Sequence, residues 1–135
     1  MAVAIPWESR FSVGHDLLDR QHRKLLTLCN DLVACENDAP DVAMLRFHEI
    51  LHQLSVYARE HFQAEEKILR DAGYADLAEQ ITDHGAYEET MAGWAFEASM
   101  DALNSEMVRD YVMRWWQEHI LVSDMRYKAL LEGRR

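Results

Sequence analysis

Glycine and proline are scarce in this chain, five and two among 135 residues, so long segments run without a breaker. Cysteine is scarcer still. Cys29 and Cys35 stand six apart, which is neither a C-x-x-C redox pair nor a disulfide framework. On a helix that spacing puts the thiols on different faces, so free thiols in a reducing compartment are expected. No apolar run approaches the ~20 residues of a membrane-spanning helix. Met1 to Pro6 lacks the basic region and the apolar length of a secretory signal, and a cytoplasmic location is expected. Cations are few: 14 Lys and Arg against 24 Asp and Glu, a formal net charge of −10. That balance argues against nucleic acid and against an anionic membrane surface. The length suits one domain, taken as residues 1–135, with enough chain to bury a core. What the chain does have is seven histidines.

The segments between breaks carry apolar residues at helical spacing. The first stripe is Leu18, His22, Leu25, Cys29 and Leu32, ended by the turn-forming cluster Glu36 to Pro40. The second runs Phe47, Leu51, Leu54, Ala58, His61, Glu65 and Ile68, with Gly73 placed to stop it. The third runs Leu77, Gln80 with Ile81, His84, Tyr87, Met91, Trp94 and Ala98. A polar break from Asp101 to Ser105 offers Asn104 or Ser105 as the next N-cap. The fourth stripe is Val108, Val112, Trp115, His119, Val122 and Arg126. Four helices with short connections predict an all-α, antiparallel up-down-up-down four-helix bundle preceded by an N-terminal arm around Trp7.

Each predicted helix carries one histidine within its apolar stripe: His22, His61, His84 and His119. In an antiparallel hairpin, two residues share a height when the turn lies midway between them. The midpoint of His22 and His61 falls just past Pro40, that of His61 and His84 beside Gly73, and that of His84 and His119 in the Asp101 break. The four imidazoles therefore belong to one inward-facing layer. Buried together without partners they are costly, and a metal removes the conflict because neutral imidazole ligates iron, zinc or copper. Glu65, four after His61, points to the same centre. Asp124, five after His119, lies about 140° round a regular helix and reaches the centre only from the flank. Four imidazoles and two carboxylates are too many for one tetrahedral zinc and suit two ions bridged by the carboxylates. Glu66, beside Glu65, reads as part of a solvated face.

The patterns Asp19-x-Gln21-His22, His61-Phe62-x-x-Glu65-Glu66, Gly73-Tyr74 with His84, and Trp115-x-x-x-His119-Ile120-x-x-x-Asp124 resemble the bacterial hemerythrins over nearly the whole chain. The resemblance implies a non-heme centre of two iron ions (Fe2+/Fe3+) with an oxo or hydroxo bridge, and dioxygen as the partner molecule. It places His22 and His61 on the iron with the open position, His84 and His119 on the other, and Glu65 and Asp124 between them. It also implies an oxygen pocket formed by Phe62, Trp116, Ile120 and Tyr127, with Trp115 in its apolar wall and Tyr127 near the metals. Two positions depart from the family pattern. Gln80 stands where a further ligand His is expected; its amide is a weaker ligand or hydrogen-bonds a ligating water, and Asp76, Glu79 or Asp83 is a substitute if the register shifts. Trp116 replaces an aliphatic residue and either fills the pocket or faces a neighbouring helix. The implied function is dioxygen binding for transport, storage or sensing. The other reading is a di-iron enzyme or redox sensor acting on peroxide or nitric oxide, since a missing imidazole at Gln80 opens both irons.

His48-Glu49-Ile50-Leu51-His52 matches the H-E-x-x-H zincin signature. Ala58 stands where a third ligand would follow, and no strand is present to align a peptide, so His48 and His52 are expected on a flank of the second helix. A ferritin-like oxidase requires two Glu-x-x-His pairs, and only Glu49-x-x-His52 is found. His15 has no assigned role. The methionines and tryptophans read as core filling.

Overall fold

The computed structural model describes residues 4–100 and 103–133. Four long helices form the bundle: α1 (Asp16–Ala34), α2 (Pro40–Asp71), α3 (Leu77–Ser99) and α4 (Ser105–Glu118), followed by a short α5 (Lys128–Glu132). Among the described residues there is no strand. Local chemistry sets the ends. Pro40 occupies the first turn of α2, where its missing N–H costs nothing. Gly73, at φ 73°, closes that helix while the Tyr74 N–H donates to the Leu69 carbonyl. Asn104 caps α4 through its Oδ1, which accepts from the Met107 N–H at 3.1 Å. The expected break at Asp101 lies partly outside the described residues. His15 proves to be the N-cap of α1, its Nδ1 accepting from the Leu18 N–H at 3.5 Å.

The N-terminal arm is tied down by side chains. Asn30 exchanges two 2.8 Å hydrogen bonds with the backbone of Ile5. Asp19 accepts from Ser12 Oγ at 2.6 Å and from the Val13 N–H at 2.8 Å. These bonds seat the arm against α1 at both ends of its run.

Two apolar clusters divide the interior. The larger contains Leu25, Cys29, Leu32, Leu54, Ala58, Phe62, Tyr87, Trp116 and Ile120. The smaller contains Val13, Leu18, Leu69, Tyr127 and Leu131. A fully buried Leu or Phe contributes roughly 1.5–3 kcal/mol, so both clusters hold the helices at fixed height. The polar layer lies between them. Cys29 and Cys35 are buried and unpaired. No described helix is long and apolar enough to cross a membrane.

The fourth stripe departs from regular helix period. After His119 the inward positions are Ile120, Asp124 and Tyr127, while Val122 and Arg126 face solvent. The cause is a π-helical turn over His119–Ser123, in which the Asp124 N–H donates to the His119 carbonyl. An i→i+5 bond stacks residues five apart, so Asp124 lies on the face of His119 rather than on its flank.

Candidate metal centre

His22, His61, Glu65, Gln80, His84, His119 and Asp124 come from α1, α2, α3 and the two turns that follow α4, and all are buried. The His22 and His61 ring centres are 4.7 Å apart and those of His84 and His119 are 5.0 Å apart. Two groups of convergent donors result: His22, His61, Glu65 and Asp124, and Glu65, His84 and His119. Glu65 belongs to both. Its Oε2 lies 3.1 Å from His61 Nε2 and 3.6 Å from His22 Nε2. Its Oε1 lies 2.9 Å from His84 Nε2 and 3.4 Å from His119 Nε2. Asp124 Oδ2 sits 3.0 Å from His22 Nε2 and 3.2 Å from His119 Nε2.

Apart from the 2.9 Å hydrogen bond between His84 Nε2 and Glu65 Oε1, these short distances are not hydrogen bonds. The Nε2 atoms of His22, His61 and His119 and Oδ2 of Asp124 are buried without a hydrogen-bond partner. Buried polar atoms without partners are rare and costly. Here they point at one another, and cations between them satisfy all of them at once. Imidazole nitrogen with carboxylate oxygen suits iron, and the absence of thiolate argues against a structural zinc site. The donor set fits two irons.

The electrostatics agree. Burial opposes charge on His22, yet the carboxylates of Asp124 and Glu65 lift its pKa to about 9. Burial dominates at His61 and lowers it to about 4 against the pull of Glu65. Burial also raises Glu65, but the imidazoles of His119 and His61 outweigh it and hold the carboxyl well below its ordinary range. An ionised carboxylate at the heart of the bundle is what a cation requires.

Outer partners orient two rings. His61 Nδ1 is 2.7 Å from Gln21 Oε1, and His84 Nδ1 is 2.7 Å from Glu66 Oε2. Each bond leaves Nε2 as the atom facing the centre. Glu66 is thus not part of a solvated face; crossing from α2 to α3 gives it His84. Sequence spacing along one helix carries no sign of such a bond. Tyr127 donates to Glu65 Oε2 at 3.1 Å. It packs with the smaller cluster, on the other side of the layer from Phe62, Trp116 and Ile120.

Trp116 is fully buried and faces inward. Its ring lies nearly parallel to Phe62 at 5.6 Å and 6.1 Å from His61, and its Nε1–H donates to Tyr87 Oη at 3.0 Å. Trp115 is half-buried and stacks on His119 at 4.6 Å. Gln80 points into the centre, where its Nε2 donates to Asp124 Oδ1 at 2.9 Å. Asp76, Glu79 and Asp83 are exposed, so none replaces it. His48 and His52 line a groove of about 570 Å³ between α2 and α3 and join no donor group among the described residues.

The sequence matches the model of the hemerythrin HHE cation binding domain over residues 13–131. It is 30% identical to a hemerythrin-like protein of Naegleria gruberi, over 97% of this chain and all of the relative. It is 27% identical to a bacteriohemerythrin of Stenotrophomonas maltophilia, over 94% of this chain and 80% of that one. The fold superposes on a crystal structure of wild-type hemerythrin with a TM-score of 0.82 at 22% identity, covering 96% of this chain and 99% of the other.

Proposed function

Because the chain belongs to the hemerythrin family, it is a di-iron protein of the dioxygen-binding type, and we propose that its irons are held by His22, His61, Glu65, His84, His119 and Asp124. The observation that carries this assignment is the sharing of Glu65 between two donor groups. One carboxylate with an oxygen turned to each group spaces two cations and offsets their repulsion. A pair of ferrous ions supplies, when bound, both the coordination position and the electrons that hold dioxygen.

The chain's own residues do the rest. Gln21 and Glu66 fix the His61 and His84 rings with Nε2 inward. Tyr127 orients Glu65 by donating to the oxygen nearest His61 and His22. Phe62, Trp116 and Ile120 wall one side of the layer with apolar surface and exclude water from it. That dry wall would keep solvent and its protons away from the donor atoms. Trp116 fills the space beside His61, its ring centre 6.1 Å from that of the imidazole.

The role we propose is transport, storage or sensing of dioxygen by a single domain spanning residues 1–135, without turnover. Two unpaired buried thiols favour the reducing cytoplasm as its location. Iron analysis of alanine variants tests the ligand set. His22→Ala and His119→Ala are expected to lower iron below two per chain, and His48→Ala to leave it unchanged. Iron lost with His48→Ala and kept with His119→Ala contradicts the assignment.

A further inference from the structure

The two carboxylates at the centre are used differently. Glu65 turns one oxygen to each pair of histidines. Asp124 turns only Oδ2 inward, within 3.0 Å of His22 Nε2 and 3.2 Å of His119 Nε2. Its Oδ1 is taken by the Gln80 amide at 2.9 Å. Each half of the centre therefore has two imidazoles and one Glu65 oxygen of its own, and the halves share a single Asp124 oxygen. Counting the shared Asp124 oxygen, each half offers four protein donors, short of an octahedral set, so each keeps positions open to outside ligands. Gln80 adds no donor to the His84 and His119 half, because its amide N–H groups face an oxygen already in the centre.

A small cleft approaches Gln80 from the surface, without reaching His84 or His119. It has a volume of about 10 Å³ and is rimmed by Asp76, Glu79, Asp83 and Arg126. That volume is about the space of one water molecule. Three carboxylates against one guanidinium give the rim a negative balance, which disfavours anions and leaves neutral molecules.

We propose that the centre has two exchangeable positions, one in each half, and takes two molecules of nitric oxide per chain. The second binds in the half held by His84 and His119, beside Gln80. This inference rests on the di-iron reading above. Binding is by coordination alone, with no proton or electron leaving the centre.

The experiment uses the anaerobic, fully reduced protein after its iron has been counted, titrated with nitric oxide and followed by optical and infrared spectra. The wild type is expected to take two equivalents and show two N–O stretching bands. Gln80→His is expected to take one equivalent and lose one band while keeping two irons. One equivalent in a wild-type protein with two irons overturns the proposal, as does a second equivalent retained by Gln80→His. Where the variant does not fold, the wild-type count decides alone. Fewer than two irons before any gas is added overturns the di-iron reading itself, and the metal count separates that failure from the other.

Discussion

The Asp124 N–H donates to the carbonyl of His119, and this single i→i+5 bond sets the carboxylate 3.2 Å from the His119 imidazole. In a regular helix the same two side chains diverge by about 140°. The π turn therefore determines whether Asp124 belongs to the centre at all.

An alanine inserted between Leu121 and Val122 is expected to disrupt the site, because the turn already accommodates one extra residue. A further residue rotates Asp124 by about 100° and drives Tyr127 out of its cluster. Iron should fall below two per chain by metal analysis. The same insertion between Glu36 and Asn37, far along the chain from the histidine layer, should leave the iron count intact.

Glu66→Leu removes the 2.7 Å partner of His84 Nδ1. Loss of such an outer hydrogen bond typically weakens metal affinity about 10- to 100-fold. Chelator competition should show this for one of the two irons. Glu66→Gln retains a hydrogen-bonding group without the charge and should fall between wild type and Glu66→Leu.

The iron-free and iron-loaded proteins should respond to pH in opposite directions. In the iron-free protein Asp124 and Glu65 overcome burial and raise His22 from 6.5 to about 9. A raised folded-state pKa gives stability that is complete below 6.5 and lost as pH climbs through 9. His61, lowered from 6.5 to about 4, still takes up protons on unfolding near pH 6.5 and opposes the trend there, so the fall is clearest above about pH 7.5. Thermal unfolding of iron-free protein should therefore shift to lower temperature between pH 6.5 and 9. Iron must displace the His22 proton, so its affinity should rise over the same interval, by roughly tenfold per pH unit for each proton released.

Trp116→Leu tests the apolar wall. The substitution opens a cavity beside His61 and removes the hydrogen bond to Tyr87. A loss of roughly 2–4 kcal/mol in denaturant unfolding is expected. Water then reaches the centre, so oxidation of the reduced protein by air should become faster and less reversible.

The sequence reveals more of the layer than of what surrounds it. His22, His61, His84 and His119 meet because helix period and loop position together specify height and face, and both can be read along the chain. Regular helix period puts Asp124 on the flank, because a local i→i+5 turn leaves no clear trace in apolar spacing. Gln21, Glu66 and the Gln80 bond to Asp124 depend on which helices lie side by side and at what rotation. That information resides in tertiary packing. The His15 cap is local but chemically unusual, an imidazole where a hydroxyl or carboxylate is the common choice.

The most direct test of the central claim is the optical spectrum of the reduced, iron-loaded protein through a cycle of air and argon. The account predicts two irons per chain and charge-transfer bands that appear with dioxygen and disappear when it is removed, over repeated cycles. Bands that appear once and persist under argon, as a plain oxidised di-iron protein gives, would contradict it.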